Sequence, residues 1–437
     1  MNRSNLVLRF WMSLGWVLPL SSWAQDPPPM REQEMGKTFK SAYEASLERS
    51  TALGVNRDLL IQAKEQEIQS RAAAFFPKLT ASVGLLTQAL PSNPTGTLIS
   101  PQNQTTIKLG VIQPLFRGLS EYAAIRQKRS TTDERAHTIH QAARQLFYDV
   151  AQAYYTVQMT SVELKNHEIE IELNKKREEE LNRFLRIGRA QLSDVLTLQA
   201  NILGLESQLE STKGRHEIAK DVLAYLTGWD RNTVLSDEET PESQLGELSD
   251  YLEAMNRRPE IAAAQAALES AEETIAIKRG GHFPSVDLIG NYYLERPGLA
   301  LKSVNWDLQL AVSFPIFQGG LVSAQIREAQ ALTHQWSLNL AESRRKAEQE
   351  IRTFYQAFNS DRRQMQKLTQ LVQVSRKNYE VQSRVFKNGL VTNLDVLQSL
   401  TTYQASKRQL DQIQCISVLD SLKLQAAVGR REEIPTQ

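Results

Sequence analysis

One eleven-residue turn occurs twice in this chain, 201 residues apart. The first copy is Arg186-Ile187-Gly188-Arg189-Ala190-Gln191-Leu192-Ser193-Asp194-Val195-Leu196, and the second is Lys387-Asn388-Gly389-Leu390-Val391-Thr392-Asn393-Leu394-Asp395-Val396-Leu397. The glycine and the Asp-Val-Leu triplet keep their spacing. The same offset carries Pro114 onto Pro315, Phe116 onto Phe317, Gly118 onto Gly319 and Gly228 onto Gly429. A register held over so long a stretch makes the chain a tandem repeat of one supersecondary unit. The roughly three domains that 437 residues would otherwise suggest become two fused halves.

Residues 1–24 read as a secretory signal. Arg3 and Arg9 give a positive start, Phe10 to Leu20 a short apolar core, and Ser22-Trp23-Ala24 small residues at a cleavage position. Loss of the two arginines takes the net charge from +1 to −1. No dense basic patch points to nucleic acid. The single cysteine, Cys415, permits no internal disulfide. It sits in a helical stretch far from the signal, so it reads as a small buried residue rather than a lipid-attachment site. After the signal no run of 18 apolar residues occurs, which excludes a helical inner-membrane protein and leaves a soluble chain or a β-barrel.

Each half reads helix, strand, loop, strand, long helix, turn, helix. In the first half, 25–228, strands are expected at 78–88 and 105–113, a long helix at 119–185, the turn at 186–190 and a helix at 191–227. In the second, 258–429, strands are expected at 285–294 and 305–314, a long helix at 321–386, the turn at 387–391 and a helix at 392–428. An irregular acidic linker, 229–257, containing Asp237-Glu238-Glu239 and Pro241, joins them, and 430–437 is a tail.

The strands alternate. Leu79, Ala81, Val83 and Leu85 face Ile107, Leu109 and Val111 in pattern, with polar residues between, and Val286, Leu288, Tyr292 and Leu294 precede Trp306, Leu308, Leu310, Val312 and Phe314. Period two over about ten residues suits a transmembrane strand beside a wet lumen, and equally a surface hairpin on a soluble core. Pro114 and Pro315 are expected to end the second strand of each pair. Phe116, Phe317, Trp306, Tyr292 and Tyr293 are candidates for aromatic girdles, or ordinary packing at the strand–helix junction. Turn-rich loops fill Gln88 to Gln104 and Glu295 to Lys302.

The two long helices contain no proline and no glycine and would each run about 100 Å at roughly 1.5 Å per residue. Val150, Val157, Leu164, Ile171 and Leu185 fall on one heptad series, broken at Glu178; Ile351, Phe358, Met365, Val372, Tyr379 and Phe386 repeat it. Leu198, Leu205, Ala219 and Leu226 keep a seam after the turn, with Thr212 in the gap. Such a period signals coiled-coil packing. The helices before the strands and after the turn sum to the length of one long helix, so two short helices stacked end to end would flank each long one, with stops at Gly228 and Gly429.

On these features the chain resembles the outer-membrane efflux protein family, the TolC-like channel-tunnels. The carriers are Phe76-Pro77 and Phe283-Pro284 before the strands, Gln113-Pro114-Leu115-Phe116 and Phe314-Pro315-Ile316-Phe317 after them, and the two turns. The resemblance implies a mainly α chain with four strands that complete a 12-stranded barrel in a homotrimer. The helices would continue as a tunnel across the periplasm, with the turns pointing away from the outer membrane. It implies a periplasmic adaptor and an inner-membrane transporter as partners, in efflux or type I secretion, and no chemistry by the channel itself. The alternative from the residues alone is a soluble periplasmic coiled-coil spacer or adaptor.

Asp194 and Asp395 follow their turns by one helical turn. Both suit helix capping, and Thr392-x-x-Asp395 resembles a capping box. The resemblance adds a gate: Asp395 matches the first of two aspartate rings at the family's closed tip, while the second falls on Gln398 and an arginine lock on Val391. A carboxylate ring attracts cations in a narrow pore. Gly188 and Gly389 are expected at positive φ. Arg186, Arg189, Lys387 and Asn388 beside them are docking candidates for an adaptor, or a solvated turn. His137 and His140 lie near Glu134, a spacing helices produce often, and no metal, cofactor or catalytic residue is assigned.

Overall fold

The computed structural model describes residues 36–89, 102–236, 245–297 and 303–429. The signal peptide, Pro91, Pro94, Gly96, Pro101 and Gly298 of the two loops, Asp237-Glu238-Glu239 with Pro241, and the tail 430–437 lie outside the described residues. In chain order the elements are α1 (Phe39–Arg49), α2 (Thr51–Phe75), β1 (Lys78–Thr87), β2 (Asn103–Arg117), α3 (Ser120–Arg186), α4 (Leu192–Thr227), α5 (Leu248–Glu253), α6 (Pro259–Arg279), β3 (Ser285–Glu295), β4 (Trp306–Ser313), α7 (Leu321–Lys387) and α8 (Asn393–Ala427). The two 67-residue helices, α3 and α7, begin and end 201 residues apart. With no glycine or proline inside, nothing interrupts their hydrogen-bond ladders.

The four strands form one antiparallel sheet in the order β1-β2-β3-β4. Its register aligns Leu79, Val111, Gly290 and Leu308 in one row and Ala81, Leu109, Tyr292 and Trp306 in the next. Leu288 and Leu310, then Val286 and Val312, extend the same face. The opposite face carries Thr80, Lys108, Asn291, Asp287 and Asp307. Tyr292 and Trp306 sit paired on the apolar face, 50% and 66% exposed. Tyr293 does not join them: it lies on the polar face, under the Arg296 guanidinium at 4.2 Å from its ring.

Several boundaries differ from the pattern reading. β2 does not stop at Pro114 but runs on to Arg117. Beyond Ile112 it has no β1 partner, and a register shift against β3 falls between Pro114 and Phe116. A proline lacking its N–H is tolerated at such a free edge and bulge. β4 ends at Ser313, before Pro315. The first half opens with two helices, because Ser50 closes α1 and caps α2, its Oγ accepting the Leu53 N–H at 3.3 Å. The linker is less irregular than expected: α5 and a 3-10 turn, Ala254–Arg257, occupy its second part, pinned by buried Tyr251. Cys415 is only half-buried.

The helices pack as end-to-end pairs beside long ones. Gly228, at φ 75°, ends α4 against Arg49 of α1, and α8 ends where Leu424, Ala427 and Val428 meet Tyr251. The main core lies at this level, the equator. Phe39, Tyr43, Phe147, Tyr154 and Tyr155 interlock edge to face, with Val418, Leu419 and Leu422 of α8 against them. A buried ionic knot ties the start of α6 to both long helices: Arg258 pairs with Glu260 at 2.6 Å and Glu350 at 2.5 Å, and Arg144 pairs with Glu260 at 2.6 Å. At the sheet end the backbones of the two crossings touch. A Cβ on Gly118 would lie 2.6 Å from the Gly280 carbonyl oxygen, and one on Gly280 would lie 2.7 Å from Ser120 Cβ.

Candidate gate at the hairpin tips

Both tips close the same way. After α3, Gly188 takes φ 72°, its N–H donates to the Leu185 carbonyl at 3.1 Å, and the Arg189 N–H donates to the Phe184 carbonyl at 2.8 Å. After α7, Gly389 takes φ 76°, its N–H donates to Phe386 at 2.8 Å, and the Leu390 N–H donates to Val385 at 3.3 Å. This is the Schellman motif, which satisfies the last carbonyls of each helix and needs a left-handed residue. The space around both glycines is open, so the backbone angle alone requires them.

The next helix starts on an aspartate. Asp395 Oδ2 accepts the Thr392 N–H at 2.9 Å and its hydroxyl at 2.6 Å, while Thr392 Oγ1 accepts the Asp395 N–H at 3.3 Å. Asp194 Oδ2 accepts the Gln191 N–H at 3.1 Å. The Thr392 hydroxyl first, then its backbone N–H, holds the Asp395 carboxyl below the usual carboxylate range. Asp395 is therefore an anion at neutral pH that caps a helix while its side chain stays exposed.

Between the tips lies a cleft of about 880 Å³. It brings together Gly188, Arg189 and Asp194 of the first tip with Lys387, Asn388, Gly389 and Val391 of the second, over the Phe184 and Phe386 rings, which meet edge to face at 5.7 Å. Arg186, Asp395 and Gln398 do not line it.

Pattern reading missed the group that joins the tips. Arg177 of α3 is 6% exposed. It donates to Glu180 at 2.6 Å and to Asn393 at 3.2 Å, and its guanidinium lies 4.1 Å from the centre of the Phe386 ring. Lys387 returns the contact to Glu180 at 3.5 Å. Further from the tip, Asn166 donates to Asp411 at 2.7 Å, and Arg408 pairs with the buried Glu170. Between the equator and the apolar cluster of Leu181 and Leu397 at the tip, α3 thus meets α8 through a polar seam. The one trace in the sequence is the heptad series failing at Glu178, beside Arg177.

A sheet with one exposed apolar face, set on two helical rods about 100 Å long with glycine-capped tips, is the architecture of an outer-membrane channel-tunnel. The model of the outer membrane efflux protein family matches residues 42–228 and 251–430, one match for each half, and the chain belongs to that family. The toluene efflux pump outer membrane protein TtgC of Pseudomonas putida is 26% identical over 414 residues, 87% of this chain and 81% of TtgC. Outer membrane protein TolC of Escherichia coli is 21% identical over 348 residues, 76% of this chain and 70% of TolC. The crystal structure of the outer membrane protein VceC from Vibrio cholerae shares the fold with a TM-score of 0.78 at 21% identity, covering 90% of this chain and 96% of VceC. Membership in this family sets aside the soluble spacer.

Proposed function

We propose that three copies of this chain form one exit duct in an outer membrane: a twelve-stranded barrel continued by a helical tunnel that narrows at the ring of hairpin tips. The observation that supports this best is the sheet. Its register collects Leu79, Leu109, Tyr292, Trp306 and Leu310 with their neighbours on one exposed face, yet β1 and β4 leave open edges. Lipid tolerates no unpaired edge. β4 runs antiparallel to β1, so β4 of one copy continues the ladder into β1 of the next, and three copies close a barrel with the Lys108, Asp287 and Asp307 face toward water.

Cargo would come from an inner-membrane transporter through a periplasmic adaptor seated at the tips. Arg186, Gly188, Arg189, Lys387, Asn388 and Gly389 are its contact residues. The efflux role named for TtgC supports transport of this kind. Asp395, with Asp194, supplies the negative ring of the gate; Gln398 and Val391 add no charge to it, and Arg177 holds the two tips of each copy together. In planar bilayers, divalent cations added on the tip side will block the current of the reconstituted protein, and Asp395→Ala will relieve the block. An unchanged block reduces Asp395 to a helix cap. A chain recovered only as a soluble monomer, with no heat-sensitive trimer on unheated gels of the membrane fraction, overturns the duct itself.

A further inference from the structure

The two hairpins, α3/α4 and α7/α8, differ at one buried level. In the first hairpin that level holds Thr160 and Ala219; the 201-residue offset carries these onto Asp361 and Asp420. The coiled coil itself therefore does not call for acids there. Ser375 and Ser406 meet at 3.1 Å across α7 and α8. Asp361 lies two heptads before Ser375 and Asp420 two heptads after Ser406, so the same antiparallel register sets them opposite each other. Each carboxyl acts on the other's protonation, as two acids set face to face must. Asp361 is 8% exposed, and its Oδ2 has no partner.

Two carboxylates only accept hydrogen bonds, so acids facing each other attract only when a proton sits on one of them. Among the described residues, the cation that acts on the pair is Lys423. Lys423, one turn along α8, approaches Asp420 at 4.0 Å and donates to Gln152 of α3 at 2.9 Å. Arg362 and Arg363 follow Asp361 on α7. The facing stretch of α3 has no charged residue between Asp149 and Glu163. α5 meets α7 at Tyr355, where the Tyr251 ring lies 5.7 Å away; that puts Asp250 and Glu253 at a level about 9 Å from Asp361 along the helix.

We propose that Asp361 and Asp420 form a proton-dependent clasp between α7 and α8: one shared proton holds the second hairpin together at this level, and its release to water sets the buried Asp361 carboxylate against the half-buried Asp420 carboxylate. Burial first, then the Asp420 charge, push Asp361 up to about 6. Burial also raises Asp420, with Lys423 pulling it back. A carboxyl whose folded pKa is raised binds its proton more tightly in the folded state. Its contribution is therefore fully present below the ordinary range near pH 4 and is lost as pH rises through about 6. This clasp stands whether or not the tips gate a pore.

The test is hydrogen exchange of the full-length protein in detergent with a chelator, comparing each variant with the wild type at the same pH so that intrinsic exchange rates cancel. At about pH 8, amides in 355–365 and 415–425 of the wild type will exchange severalfold faster than those of Asp361→Asn or Asp420→Asn. At about pH 5 the rates will agree. The paired change Asp361→Thr with Asp420→Ala, which installs the residues of the first hairpin, will behave as the single variants do. A ratio that does not change between the two pH values overturns the clasp. So does protection of the wild type alone by millimolar calcium or magnesium at pH 8 that restores it to the level of the Asn variants, since that would make the pair a cation site.

Discussion

At the equator and near the tips, the same two helices meet by different chemistry. Where α3 passes the end of α8, Phe147, Ala151 and Tyr155 pack with Val418, Leu419, Leu422 and Ala426 in the largest core of the molecule. Toward the tips the pairs are Asn166 with Asp411, Glu170 with Arg408, and Arg177 with Asn393. Burial of large apolar side chains is lost outright when such a seam opens, at roughly 2–3 kcal/mol each. Polar partners exchange for water when the seam opens, and an intact hydrogen bond to a charged group nets about 1.5–3 kcal/mol. The equatorial end of the seam is thus held by many apolar side chains, and the stretch toward the tips by a few polar pairs that water can replace, before the smaller apolar cluster of Leu181 and Leu397 at the tip itself.

Three substitutions probe that contrast, in falling order of effect. Phe147→Ala removes the hub of the aromatic cluster and will cost about 3–5 kcal/mol, read as a large drop in thermal midpoint by circular dichroism with loss of protection at the equator. A small drop would deny the equator its role as the fixed end. Arg177→Met keeps the stem and removes the donors to Glu180 and Asn393. It will cost about 1–3 kcal/mol at the tip through the unpaired partners, raise single-channel current severalfold, and leave equatorial exchange as it was. Unchanged current would mean that the tips of one copy are held by something else. Thr392→Ala breaks one capping box and will cost about 1 kcal/mol, fraying only the start of α8. Because Asp395 is depressed by the same contacts, the cap is present at neutral pH and is lost as pH falls through its lowered pKa. In Thr392→Ala the acid-side loss of protection at the start of α8 will be smaller than in the wild type.

How much of this was legible in the chain depended on whether a feature was local. The tip glycines, their aspartates and the uninterrupted α3 and α7 are set by residues within a few positions of each other, and spacing alone exposes them. The sheet faces were readable as alternation, which already set Tyr293 on the face opposite Tyr292, but the register that sets Ala81, Leu109, Tyr292 and Trp306 side by side is not local. Arg177 was invisible because a charged residue on a coiled coil reads as solvated surface; its partners Phe386 and Asn393 lie more than two hundred residues away. Asp361 and Asp420 escaped for the same reason, each alone being an ordinary helical acid. Pro114 misled because a proline's meaning in a strand depends on whether a neighbour pairs there, and β1 has ended by then.

Gly118 and Gly280 touch within one chain, while Gly319, the repeat partner of Gly118, faces open space. Matching Phe283-Pro284 with Phe76-Pro77 places Ala73 where the second half has Gly280. A closed ring of three copies would then be pseudo-sixfold at this level. Three joints would be made within chains by glycine on glycine, and three between chains by Gly319 against Ala73 of the neighbouring copy, so the covalent boundary of each subunit would be nearly invisible in the wall it builds.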